Sequence, residues 1–246
     1  MSKLSIIIPA HNEENSLGET LGNYISYFSN KSGIEFEILV VCDGCTDNTE
    51  QIAKQYSLRH PQIQIRRNPL RLGKGRSIIE GFKVAAGDII LFVDADGSIS
   101  PGETWKLVEG IYEENDVVIS SRHLPQSQIV NGKSLNWRIA SWGYNFLVRM
   151  FFGLKVKDTQ CGAKVFKRSV IHSILDDIRS NGMCMDVELL WRAKQKNFNI
   201  KEVPIRWKHV QKNGVTSNLP RTVADMAIQI ILLRFRIYNG KTKTNA

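Results

Sequence analysis

The 246 residues, 42% of them hydrophobic, suffice for one substantial core of mixed layers and slightly exceed a single compact domain; a main domain over 1–210 and a C-terminal amphipathic appendage over 211–246 are expected. A formal net charge of +9 points to anionic partners: nucleotide diphosphates, lipid headgroups or nucleic acid. The longest apolar runs, Phe146 to Leu154 and Ala227 to Leu233, fall short of the roughly 20 residues of a membrane-spanning helix, and Met1 to Pro9 lacks the order of a signal peptide, so a cytoplasmic chain that can lie on a membrane is expected.

Leu4 to Ile8 reads as a strand buried on both faces and ends in Pro9-Ala10-His11-Asn12-Glu13. An amphipathic helix over Ser16 to Phe28 leads to a second strand, Phe36 to Val41, which ends in Cys42-Asp43-Gly44. A helix over Asp47 to Leu58 opens with a capping Asp or Thr. After a further strand comes Arg71-Leu72-Gly73-Lys74, then a helix over Gly75 to Ala86 that closes at Gly87. Ile89 to Val93 is a strand that runs into Asp94-Ala95-Asp96-Gly97, and Val117 to Ser121 is another, followed by Arg122. Strand and helix alternate, so this half is α/β with a mostly parallel sheet. The second half loses the alternation; Trp137 to Leu154 suits either a core helix or an interfacial one, and Pro220 to Tyr238 has apolar residues at helical spacing dotted with arginines.

In open sheets of this kind ligands sit beyond the carboxyl ends of the strands, where acids and bases gather here. Asp94 and Asp96, two carboxylates at a strand terminus, can hold Mg2+ or Mn2+ against diphosphate oxygens; a turn with a helix cap is the plainer reading. Lys74 stands where backbone amides and a cation can face phosphate, or simply in a solvated loop; the segment is neither a Walker sequence nor a dinucleotide fingerprint. Asp43 can accept hydrogen bonds from a base or ribose, or cap the helix near Asp47. Cys42 and Cys45 form a C-x-x-C without a second ligand pair, which is weak support for a metal or redox role.

Taken together, Ile6 to Glu13, Asp43 to Asp47, Leu72 to Gly75 and Asp94 to Gly97 resemble the family-2 inverting glycosyltransferases of GT-A fold over roughly residues 4 to 210. Ser121-Arg122, Asp158 to Lys164 and Asp186 to Leu189 resemble, within that family, the dolichyl-phosphate glucose synthases and next the mannose synthases. The resemblance implies a nucleotide-sugar donor, UDP-glucose or else GDP-mannose, and a polyprenyl-phosphate acceptor. It implies that Pro9, His11, Glu13, Asp43, Lys74 and Asp94 bind the nucleotide, Asp94 and Asp96 the metal, and Arg122 with Arg138 and Ser141 the acceptor phosphate. Asp158, Gln160, Asp186 and Glu188 would bind sugar or support the site. The chain departs from the mannose synthases at Ser98, where they carry a Gln, and at Trp137, where they carry an Arg that Arg138 misses by one step. It departs again at Gly214 to Asn218, which replaces a Gly-x-Ser-Lys and leaves the cationic role there to Lys208 or Lys212.

A hydroxyl acceptor needs a carboxylate base, and Asp186 or Glu188 stands at a fitting point in the order. A lipid phosphate, with a second pKa of about 6, is already mostly dianionic and needs cations instead. The sugar-hydroxyl acceptor is the alternative enzyme reading. A nucleic-acid-binding module lacks any reader motif, and no nucleic-acid partner is expected.

Overall fold

A computed structural model of the chain describes residues 2–131, 135–210, 225 and 227–235, with residues 132–140 lacking described side chains. The order is β1 (Lys3–Ala10), α1 (Leu17–Ser29), β2 (Glu35–Asp43), α2 (Thr49–Arg59), β3 (Ile63–Asn68), α3 (Lys74–Val84), β4 (Ile89–Val93), α4 (Pro101–Tyr112) and β5 (Val117–Ser121). Then follow β6 (Gln128–Val130), α5 (Leu135–Phe152), β7 (Ala163–Lys167), α6 (Arg168–Ile174), α7 (Met185–Gln195), β8 (Ile200–Pro204) and β9 (Arg206–Lys208). Seven strands form one sheet in the order β3-β2-β1-β4-β7-β5-β8, while β6 and β9 pair separately.

The continuous apolar runs become central strands because helices cover both faces, and the period of two divides each run between them. Ile7 of β1 packs with Ile78 and Phe82 of α3 in a core that also takes residues of α5, α6 and α7. Its neighbours Ile6 and Ile8 pack on the other face with Leu21 and Phe28 of α1 and Leu107 of α4. Helical residues 227–235 bury Ile230 and Leu233 in the first of these cores.

One strand runs against the rest. β7 is antiparallel to both β4 and β5, with Ala163 opposite Val93 at the end of β4. The reversal brings the start of β7 to the same sheet edge as the ends of β1, β2 and β4. It therefore delivers the preceding residues, Asp158 to Gly162, beside Asp94. The stretch Trp137 to Leu154 is largely α5, which buries Tyr144, Val148 and Phe152 and exposes Trp142, Phe146 and Met150. Among the described residues, no helix is long and apolar enough to cross a membrane.

Candidate active site

A cleft of about 830 Å³ opens at the carboxyl edge of the sheet, lined by Pro9, His11, Glu13, Asp43, Arg71, Lys74 and Asp94 among others. Its size suits a small-molecule ligand. Pro9, His11 and Glu13 arrive on the end of β1 and the turn after it. His11 Nδ1 donates to the Asp43 carbonyl at 2.7 Å, and Glu13 receives Ser16 Oγ at 2.8 Å. Asp43 is buried, with Oδ1 accepting from Leu72 N at 2.9 Å and Asn68 Nδ2 at 3.3 Å, and Oδ2 from Gly73 N at 2.8 Å. It thus shapes the segment that leads into Lys74. The alternative role of Asp43 as a helix cap is not taken: α2 begins after Asn48, and Asp47 Oδ1 accepts from Thr49 N at 3.0 Å.

Lys74 is the first residue of α3, and its half-exposed ammonium pairs with Asp94 Oδ1. Burial works against that charge, but Asp94, Asp186 and Asp96 override it and hold the pKa above the usual lysine value. Asp96 stands two residues beyond Asp94, partly exposed, and Oδ1 accepts from Ser98 N at 3.0 Å. That bond makes a local turn, whereas α4 is entered later through Ser100, so Asp96 does not cap it. Among the described residues no group of three or more His, Cys, Asp and Glu side chains is placed to hold a metal. Two oxygen-donor carboxylates nevertheless fit Mg2+ or Mn2+, which are commonly held by one or two carboxylates with phosphate and water completing the shell. The Lys74 ammonium on Asp94 marks that carboxylate as a place where positive charge is stabilised.

Glycine at 162 is required by a close approach. A Cβ there would lie 2.8 Å from Asp94 Cγ, closer than real Cβ atoms come. On the opposite side, a Cβ on Gly75 would lie 2.6 Å from the Asn181 carbonyl oxygen, so the loop before α7 presses on the start of α3. Both glycines stand within the sequence motifs, but the sequence carries no local signal for either contact.

Arg122 follows β5 and does not present the expected two-pronged edge to solvent. Nε and Nη2 donate to Asp158 Oδ2 and Oδ1 at 2.7 and 2.9 Å, and its backbone N–H reaches Oδ2 at 3.0 Å. The planar fork read as a phosphate grip is therefore matched to a carboxylate, as guanidinium geometry favours. Burial pushes the Asp158 pKa up, but the Arg122 charge and its hydrogen bonds prevail and hold it well below the usual carboxylate range. Glu202, which sequence reasoning did not single out, accepts from Lys157 N at 2.8 Å and Asp158 N at 2.9 Å. Ser141 lies close by, its Oγ 3.0 Å from Nε2 of His123. The Trp137 and Arg138 side chains lie outside the described residues, as do Lys212 and Gly214 to Asn218.

Gln160 donates to Tyr144 Oη at 3.4 Å and to the Met183 carbonyl at 3.3 Å. Asp186, near the start of α7, accepts from buried Lys164 at 2.5 Å. Glu188 is wholly buried; it accepts from Arg179 N, Ser180 N and the guanidinium of Arg192, all within 3.1 Å. That bonding makes Glu188 a brace for the loop before α7. Ser98, which stands where the resemblance would place a Gln, is buried, and its carbonyl accepts from Lys208 N at 2.9 Å. Cys42 and Cys45 are free thiols; burial, with Cys45 adding to it, pushes the Cys42 pKa up to about 12, the reverse of a reactive thiolate.

Comparison with known proteins places the family and the fold. The model of the family "Glycosyl transferase family 2" matches residues 5–175. A dolichyl-phosphate beta-glucosyltransferase of Saccharomyces cerevisiae is 32% identical over 98% of this chain and 77% of its own length. One from Dictyostelium discoideum is 32% identical over 96% of this chain and 75% of its own. The glucosyl-3-phosphoglycerate synthase of Mycobacterium tuberculosis, solved with Mn2+, uridine diphosphate and glucosyl-3-phosphoglycerate, superposes with a TM-score of 0.70 at 20% identity. It covers 95% of this chain and 80% of that one, a shared GT-A fold.

Proposed function

Because the chain belongs to glycosyl transferase family 2, we propose that it transfers glucose from UDP-glucose to the phosphate of a polyprenyl or dolichyl lipid. The observation that carries the reading is the cleft at the sheet edge, where the β1 end, Asp43, Lys74 and Asp94 line one volume. Pro9, His11, Glu13 and Asp43 hold the nucleotide there, and Lys74 leaves Asp94 for the diphosphate. Mg2+ or Mn2+ on Asp94 and Asp96 would neutralise the charge that grows on the departing diphosphate. The acceptor sits across β7, near Ser141, Arg138 and Arg122. Because Asp158 occupies the Arg122 fork, Arg122 acts there as a fixed donor rather than a mobile clamp. Asp158, Gln160 and Asp186 bound the sugar end, with Glu188 as support.

Inversion requires the nucleophile on the face opposite the diphosphate, and a phosphate dianion attacks without surrendering a proton. This agrees with the bonding of the two candidate bases: Asp186 faces Lys164, and Glu188 is saturated by backbone amides and Arg192. The chain attaches in this reading to the cytoplasmic face of a membrane; exposed Trp142, Phe146 and Met150 on α5 and Ile228, Ile231, Leu232 and Phe235 on 227–235, with exposed Arg149 and Arg234 among them, support the attachment to a membrane surface.

The test is to incubate the chain with labelled UDP-glucose or GDP-mannose, a polyprenyl phosphate and Mg2+ or Mn2+, and then analyse the lipid fraction. Label from UDP-glucose in acid-labile lipid is expected. Label from GDP-mannose alone would make the chain a mannose synthase, and no lipid label with either donor would overturn the proposed acceptor.

A further inference from the structure

Lys164 is wholly buried at the second position of β7, opposite Phe92 of β4 and Ile119 of β5. Its ammonium lies 5.2 Å from the centre of the Phe92 ring. Taking an ammonium out of water is costly even when it is paired, and an apolar side chain of similar volume would fill the same space at no such cost. Core packing therefore does not explain a lysine here. Nor has it any exposed surface to offer a substrate.

Its two oxygen partners belong to different elements, the turn before β7 and the start of α7. Nζ donates to the Cys161 carbonyl at 2.8 Å and to Asp186 Oδ1 at 2.5 Å. The first bond fixes the turn whose next residue, Gly162, abuts the Asp94 carboxylate. The second fixes the start of α7, and the loop that leads into it meets the start of α3, where the Asn181 carbonyl accepts from Arg76 N at 3.2 Å, two residues beyond Lys74, the partner of Asp94. The segments that flank Asp94 on both sides are thus anchored, directly or through α7, by one ammonium.

We infer that Lys164 is a positioning residue that sets the Asp94 carboxylate for the metal and diphosphate, through Gly162 on one side and, on the other, through Asp186 at the start of α7 and the Asn181 loop against the start of α3, which carries Lys74. The inference rests on the transferase reading above and assigns Lys164 no contact with donor or acceptor. Outer groups that orient a ligating carboxylate commonly govern metal affinity by roughly 10- to 100-fold, and Lys164 acts one contact beyond them.

A purely structural ion pair makes a different prediction. Replacing both partners by apolar residues would then restore stability and function together, because no buried charge is left unpaired. The experiment compares Lys164→Met, the double variant Lys164→Met/Asp186→Leu and Asp186→Asn by thermal melting and by calorimetry of UDP binding with Mn2+. The double variant is expected to melt near the wild type yet bind UDP with Mn2+ roughly 10- to 100-fold more weakly. Asp186→Asn keeps the side-chain shape should the double variant fail to fold, and the same weakening is expected. Because UDP lacks the transferred glucose, a pure contact between Asp186 and that glucose would leave UDP affinity unchanged. Wild-type affinity in the folded variants overturns the inference alone, whereas a wild-type chain without Mn2+-dependent UDP binding overturns the transferase reading with it.

Discussion

Arg122→Met removes the cation from a carboxylate that has no exposed surface. The Asp158 side chain is 0% exposed and that of Arg122 7%. In the variant, Asp158 keeps the amides of residue 122 at 3.0 Å and Gln160 at 3.2 Å but loses both guanidinium bonds. Breaking a buried pair by deleting one partner costs about 3–5 kcal/mol, and the surviving amides place this case near the lower end, about 3 kcal/mol. For a chain of this size that lowers Tm by about 6–12 °C. The pH dependence identifies the cause. In the wild type the Asp158 pKa lies below its unfolded value of about 3.9, so its stabilisation is complete above that pH and is lost only as pH falls through the folded pKa. Without Arg122, burial raises the Asp158 pKa above the unfolded value, so the variant loses stability as pH rises from about 4 toward that raised pKa. The difference in Tm between the two proteins should be largest near neutrality and shrink toward pH 4. Calorimetric melts across that range measure it. A loss under about 1 kcal/mol, or a difference independent of pH, would refute the buried-pair account and return Arg122 to the role of a ligand clamp.

Asp96→Ala should lower kcat by at least about 100-fold, the scale on which losing a partner of developing charge is felt, and full turnover of the purified variant in chelator would overturn the metal assignment. Gly162→Ala forces a methyl onto the Asp94 carboxylate; overpacking of about 1–3 kcal/mol in Tm analysis and weaker Mn2+-dependent UDP binding are expected, and unchanged UDP affinity would show that the contact is of no consequence. Calorimetry with metal should find UDP bound more tightly than GDP; the reverse order would favour a mannose donor. The chain should float with anionic vesicles at low salt and release at high salt, and Trp142→Ser/Phe146→Ser should weaken flotation without altering UDP binding. Equal recovery in the soluble fraction with and without vesicles would leave those residues as ordinary surface.

The first half of the fold was legible because its strands are continuous apolar runs, and the bounds of β4 and β5 coincide with the reading from sequence. β7 was hidden by its charge: Ala-Lys-Val-Phe-Lys has a lysine at its second position and fits no apolar template, although that lysine is neutralised in the sheet by Asp186. The antiparallel direction of β7 is a tertiary property without local signal, yet it is what brings Gly162 to Asp94. Residues at strand ends could be nominated from the α/β pattern alone. Their partners could not, since Arg122 with Asp158 spans 36 positions and Lys164 with Asp186 spans 22.

The ion pairs sort the acids of the site by exchangeability. Asp158 with Arg122, Asp186 with Lys164 and Glu188 with Arg192 all place at least one fully buried partner against a fixed opposite charge. Displacing any of them strands a charge out of reach of water, so these pairs belong to the framework. Asp94 with Lys74 differs, because the side chains are 27% and 43% exposed and the lysine stem is long and flexible. Water can compensate both groups when they part. The one acid–base pair in this set that can open cheaply is therefore the one at which a metal and a diphosphate would have to enter. An acceptor that arrives already ionised makes no demand on the three that cannot open.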